Sequence, residues 1–201
     1  MIVIVNYNMG NVGSVYNMIK KIGFEALITS NINEIEKAKK IILPGVGAFD
    51  NGIINLKKLG LIEILEYKVF KERVPILGIC LGMQLMTKKS EEGELQGLSW
   101  IDAETKRFVS DTYKIPHMGW NYVKIIKNSD LFSSEFSEWR FYFVHSYYVE
   151  SYNKDDILTT TFYIHDFVSS FQRENIIGVQ FHPEKSHKFG MMLLKNFITK
   201  F

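Results

Sequence analysis

Over roughly the first ninety positions, short apolar runs alternate with stretches of helical periodicity, the arrangement of a parallel sheet covered by helices. Met1–Val5 reads as a first strand and is followed by a turn rich in Gly and Asn. Val12, Val15, Tyr16, Ile19 and Ile22 then recur at i, i+3, i+4 and i+7, which puts them on one helical face, with Gly23 as the stop. Phe24–Ile28 predicts a second strand, Asn33–Lys40 a short polar helix, and Lys40–Leu43 a third strand that runs into Pro44-Gly45-Val46-Gly47. Helical patterns occupy Phe49–Leu59 and Leu61–Arg73, Val74–Ile79 is a fourth strand, and Leu81 opens another helix.

Beyond Gly97 the pattern changes to short runs of Thr, Tyr, Phe and Val: Lys106–Val109, Asn121–Ile126, Arg140–Val144 and Ile157–Phe162. These predict sheet and hairpin segments. A last strand, Ile176–Phe181, precedes a helix in which Leu193, Leu194, Phe197, Ile198 and Phe201 share a face. No internal repeat, low-complexity tract or linker interrupts the chain. The pattern predicts one α/β domain over residues 1–201, with a mostly parallel central sheet flanked by helices and a β-rich second half.

Composition narrows the class. The chain's 201 residues suit one domain, and 46% hydrophobic with 23% charged residues is an ordinary globular balance. Lys+Arg (24) and Asp+Glu (22) nearly cancel, so the basic stripe that nucleic acid requires is not expected. Met1–Val5 turns polar at Asn6 and reads as a strand, not a signal peptide, and no window approaches the ~18 apolar residues of a membrane span. Cys80 is the only cysteine, which excludes an intrachain disulfide and speaks against a cysteine metal cluster; a reducing, cytoplasmic setting is expected.

That thiol lies in Gly78-Ile79-Cys80-Leu81-Gly82, between an apolar strand and a helical pattern. This is the form of a nucleophile elbow, in which the nucleophile occupies a strained strand-to-helix turn and glycines keep side chains off neighbouring backbone. A helix N-terminus just beyond it favours the thiolate. The same pentapeptide also suits a buried structural cysteine. A thiol nucleophile needs a base. Of the five histidines, His182 follows an apolar strand and stands in His182-Pro183-Glu184, where a carboxylate two residues on can fold back to orient the ring. Cys80 and His182 both fall at predicted carboxyl ends of strands, where open α/β sheets bind ligands. The loop Pro44-Gly45-Val46-Gly47 also follows a strand, and its backbone N–H groups could meet a developing oxyanion, although such a sequence is by itself an ordinary turn. His117-Met118-Gly119-Trp120-Asn121 and His145-Ser146-Tyr147-Tyr148 could line a pocket or form a packed aromatic hairpin. No histidine pair has zinc-motif spacing, and Asn8-Met9-Gly10-Asn11-Val12-Gly13 lacks the pattern and lysine of a phosphate loop. Neither a metal nor a cofactor is expected.

Together, Leu43–Phe49, Gly78–Gln84, Pro116–Asn121, Phe143–Tyr148 and Gly178–Ser186 resemble class I glutamine amidotransferases. Within them the chain is similar to the glutaminase subunits of imidazole glycerol phosphate synthases, a resemblance that runs from residue 1 to the last helix. It implies a flavodoxin-like fold, with Cys80 attacking the side-chain amide of L-glutamine, His182 shuttling protons and Glu184 holding His182. Backbone N–H groups of Leu81 and Val46 would form the oxyanion hole. Gly45, Gly47, Gln84, His145, Ser146 and Tyr147 would help to seat glutamine.

The family's partner is a cyclase of (β/α)₈-barrel fold that takes up the ammonia. It yields imidazole glycerol phosphate for histidine biosynthesis together with an aminoimidazole carboxamide ribonucleotide, so the resemblance implies a heterodimer. Two positions depart from the family: Asn6-Tyr7-Asn8 stands where Asp-Tyr-Gly is usual, and Gly13 where an arginine is common. They leave open a second reading, in which a paralogous glutaminase subunit supplies ammonia for amidotransfer onto a surface-polysaccharide sugar.

Overall fold

A computed structural model of the chain describes residues 1–133 and 136–201. Five strands form its parallel part: β1 (Ile2–Val5), β2 (Ala26–Thr29), β3 (Lys40–Gly45), β4 (Ile76–Cys80) and β11 (Ile176–Val179), in the order β2-β1-β3-β4-β11. This is the strand order of flavodoxin-like folds. β1, β4 and β11 are buried at every residue, because helices cover both faces, which is why they read as unbroken apolar runs.

The covering helices are α1 (Val12–Lys21), α2 (Ile32–Ile35), α3 (Phe49–Lys58), α4 (Leu61–Glu66), α5 (Leu81–Leu85) and α6 (His187–Lys200). α1 starts where the Asn11 side chain accepts the Ser14 N–H (3.1 Å) and buries Val15 and Ile19; Gly23, at φ +89°, follows its end. α4 continues as a π-helical turn over Tyr67–Lys71, so the predicted helix to Arg73 is two segments. α2 is shorter than the polar pattern predicts and begins at Ile32, where the Asn31 side chain accepts the Asn33 N–H.

The second half extends the sheet in antiparallel fashion beyond β11: β10 (His165–Arg173), β9 (Ile157–Tyr163), β6 (His117–Ile125) and β7 (Trp139–His145) follow in that order. β5 (Ala103–Arg107) pairs with β8 (Tyr147–Ser151), which also touches β10. The sheet is therefore mixed, parallel from its β2 edge to β11 and antiparallel beyond. Two apolar clusters sit on its opposite faces, one around Val3, Leu43 and Phe49, the other around Ile4, Leu77 and Phe181. Among the described residues no helix is long and apolar enough to cross a membrane.

The consequence for the site lies in the register. Gly45 of β3 stands beside Cys80 of β4, and Val179 of β11 beside Ile79, so three neighbouring parallel strands deliver their carboxyl ends to one place.

Candidate active site

Cys80 ends β4 and immediately precedes α5, with φ +53° and ψ −110°, a backbone conformation rare for any residue with a side chain. The turn is held by close approach. A Cβ on Gly82 would lie 1.8 Å from the Leu43 carbonyl oxygen, and one on Gly78 would lie 2.8 Å from the backbone of Gly82 and Met83. The two glycines of the motif are thus required because strand and helix touch backbone to backbone. Leu81 is the first residue of α5, so the helix itself has no use for its amide.

His182 comes from the segment after β11. Phe181 is fully buried and stacks on Phe141 with ring centroids 3.8 Å apart, while the His182 N–H donates to the Tyr142 carbonyl (2.9 Å). The Ser186 hydroxyl donates to the His182 carbonyl (2.6 Å) and accepts the Tyr142 N–H (3.0 Å), which ties the turn to β7. Pro183–Lys185 form a 3₁₀ turn that carries Glu184 back under the ring. His182 Nδ1 then lies 2.7 Å from Glu184 Oε1, and His182 Nε2 is buried. Burial works against the charged imidazole, but Cys80 and the Glu184 carboxylate outweigh it and raise the His182 pKa to about 10.

Val46, Gly47, Cys80, Leu81, Gln84, His145, Ser146, Tyr147 and His182 line one cavity of about 320 Å³, together with Glu92, Pro116 and Val144. Gly45 and Glu184 lie behind that lining. A Cβ at Gly45 would meet the Tyr7 hydroxyl and the backbone of Gly82, so this residue is packed under the elbow. The Tyr7 hydroxyl there is fully buried and unpartnered; burial, with the charge of Cys80 adding, pushes the phenol far up. Asn8 takes φ +61° in the turn above, a conformation that asparagine tolerates, so its replacement of the usual glycine leaves the turn intact.

Behind the cavity runs a chain of hydrogen bonds whose direction is fixed by its ends. The Tyr147 carbonyl can only accept, so His145 Nδ1 donates to it (2.7 Å). His145 Nε2 then accepts from His117 Nδ1 (3.0 Å), and His117 Nε2 accepts from Asn121 Nδ2 (3.2 Å). Burial lowers the His117 pKa to about 4 and that of His145 to about 3, which keeps both rings neutral. Gln84 Nε2 donates to the same Tyr147 carbonyl (3.1 Å) and to Gln180 Oε1 (3.0 Å).

Two residues beyond those the motifs single out reach the site. Gln180, fully buried, places Nε2 3.6 Å from Cys80 Sγ. Glu92 is the one carboxylate of the cavity lining; its Oε2 accepts the Phe49 N–H at the start of α3 (2.9 Å), and burial, opposed by that hydrogen bond, raises its pKa. Gln180 is flanked by motif residues and so is visible in the sequence; Glu92 belongs to a loop and carries no such signal.

Residues 3–201 match the family model of class-I glutamine amidotransferases, and the chain belongs to that family. It is 59% identical, over all of both chains, to the imidazole glycerol phosphate synthase subunit HisH 2 of Methanococcus maripaludis. Identity to the subunit HisH 2 of Pseudomonas aeruginosa is 48%, covering 98% of each chain. The crystal structure of a glutamine amidotransferase superposes with a TM-score of 0.77, covering 98% of this chain and 96% of that one at 16% identity.

Proposed function

We propose that the chain is the glutaminase subunit of an imidazole glycerol phosphate synthase, hydrolysing L-glutamine and passing the ammonia to a cyclase partner of (β/α)₈-barrel fold. The observation that carries this reading is that Cys80, on its elbow, lines one cavity with His182, whose ring is paired with Glu184, in a chain similar over its whole length to such subunits.

Cys80 Sγ, as thiolate, attacks the side-chain amide carbon of glutamine, and the oxygen that gains charge is met by the backbone N–H groups of Leu81 and Val46. His182, held as imidazolium by Glu184, gives the proton on Nε2 to the departing nitrogen, leaving a thioester and ammonia. The neutral ring then takes a proton from water, whose oxygen attacks the thioester and releases glutamate. Glu92 supplies the negative charge that the ammonium of a free amino acid needs, while Gln84, whose N–H groups are committed, presents its oxygen as an acceptor.

A partner surface is supported by β6. Met118, Trp120 and Tyr122 alternate with inward residues and stand 62%, 44% and 54% exposed. Trp120 stacks on His187, with the Arg140 guanidinium 5.7 Å from its ring, next to the turn that carries His182.

Purification with a candidate barrel and assay of glutamate release test the reading, and rescue of a histidine auxotroph by both genes is expected. Glutamine hydrolysis without rescue would favour the polysaccharide-sugar reading, to which the departures at Asn6-Tyr7-Asn8 and Gly13 point.

A further inference from the structure

We infer that Gln180 is a positioning group for the nucleophile: its side-chain N–H holds the sulfur of Cys80 in the reactive geometry, and its carbonyl ties that sulfur to the glutamine-seating segment through Gln84. The inference rests on Cys80 as the nucleophile.

The orientation of the Gln180 amide is determined by its neighbours. Gln84 Nε2 lies 3.1 Å from the Tyr147 carbonyl and 3.0 Å from Gln180, so the nitrogen of Gln84 is a donor and the atom of Gln180 facing it must be the oxygen. The Gln180 nitrogen then faces Cys80 Sγ at 3.6 Å. A turned amide would set two NH₂ groups against each other and withdraw the donor from the sulfur.

A hydrogen-bond donor aimed at the sulfur suits the form of it that attacks. Gln180 is fully buried where an apolar side chain would pack without a desolvation cost. A thiol is a weak acceptor, whereas a thiolate is a strong one, so the donor favours the anion and restricts the rotamer in which it is held. Through Gln84 and the Tyr147 carbonyl the same amide is coupled to the His145–His117 pair, whose donor directions leave no alternative arrangement. Sulfur and substrate-seating backbone thus belong to one hydrogen-bonded unit.

Because Cys80 is the only cysteine, alkylation by iodoacetamide reads this thiol alone, and its rate against pH in the full-length chain gives the thiolate midpoint. The titratable groups around the sulfur are His182 with Glu184 behind it, Tyr7 from the turn after β1, and His145 and Glu92 across the cavity, all unchanged by the variants. Gln180→Met, of similar volume and without the donor, is expected to raise the midpoint by about one pH unit, which slows alkylation below it about tenfold. Gln84→Met keeps the donor but frees its carbonyl, and a smaller shift in the same direction is expected; this variant decides the matter should Gln180→Met fail to fold. An unchanged or lowered midpoint overturns the inference. Absence of any activated thiol in the wild-type chain would instead overturn the role of Cys80.

Discussion

His182 Nδ1 lies 2.7 Å from Glu184 Oε1 while its other ring nitrogen is buried and the ring also interacts with Cys80, so the ring stands between the carboxylate and the sulfur. His182 and Cys80 line the same cavity. A ring anchored in this way can give and take a proton without turning. Removing the sulfur removes the bond-forming atom but leaves the fold. In the complex with a partner, Cys80→Ala is expected to abolish glutamine-dependent synthesis and to leave synthesis from added ammonia unchanged, measured by product formation with each nitrogen source.

In the proposed reaction Glu184 acts through the ring and is partly replaceable. Glu184→Gln retains an acceptor but loses the charge, so it should slow glutamate release less than His182→Ala does. The pH dependence separates the two roles. The imidazolium, with its pKa raised to about 10, is present below that value and lost above it, so the alkaline limb of the rate profile belongs to His182. In Glu184→Gln that limb should move to lower pH, read from kcat at saturating glutamine.

Glu92 should control binding more than chemistry. Glu92→Gln keeps the acceptor for the Phe49 N–H and removes the charge facing the cavity. The loss of a charge-assisted hydrogen bond, about 1.5–3 kcal/mol, predicts a KM for glutamine raised about 10- to 100-fold with kcat little changed. A substrate analogue that lacks the α-amino group should show no such difference between wild type and variant.

His117 and His145 should make the fold acid-sensitive. Their folded pKa values, about 4 and about 3, lie below the ordinary 6.5, so the unfolded chain binds protons that the folded chain refuses. Stability from this source is complete above 6.5 and falls as the pH drops from there toward 3, by a few kcal/mol for the pair. Urea midpoints measured across this range should show the decline, and His117→Asn should reduce its slope.

The backbone contact at the elbow sets a steric limit. Gly82→Ala forces a Cβ to 1.8 Å from the Leu43 oxygen, with strand and helix on either side and no flexible side chain to yield. The variant should lose more than about 3 kcal/mol of stability, measured by chemical denaturation, or fail to fold.

β1, β4 and β11 were legible because they are buried on both faces and therefore read as apolar runs. β8 and β10 were not. In β8 only Val149 is buried, so no alternation is visible. β10 carries Ser169 and Ser170 into the interior, where both meet the Thr159 hydroxyl at 2.8 and 2.7 Å; such a stretch reads as loop until its cross-strand partner is known. At the site, contiguous motifs announced Cys80, His182 and Glu184. Glu92 carries no such signal, and Gln180 lies within a motif but shows no role there, because their partners, Phe49 and Cys80, lie 43 and 100 positions away.

The histidine pair behind the cavity carries a consequence for proton inventory. Of the three imidazoles near the reacting sulfur, two are fixed as neutral relays by burial and by hydrogen bonds of defined direction. Among these imidazoles the one that is protonated at neutral pH is therefore His182, and in the proposed reaction its proton departs on the leaving nitrogen.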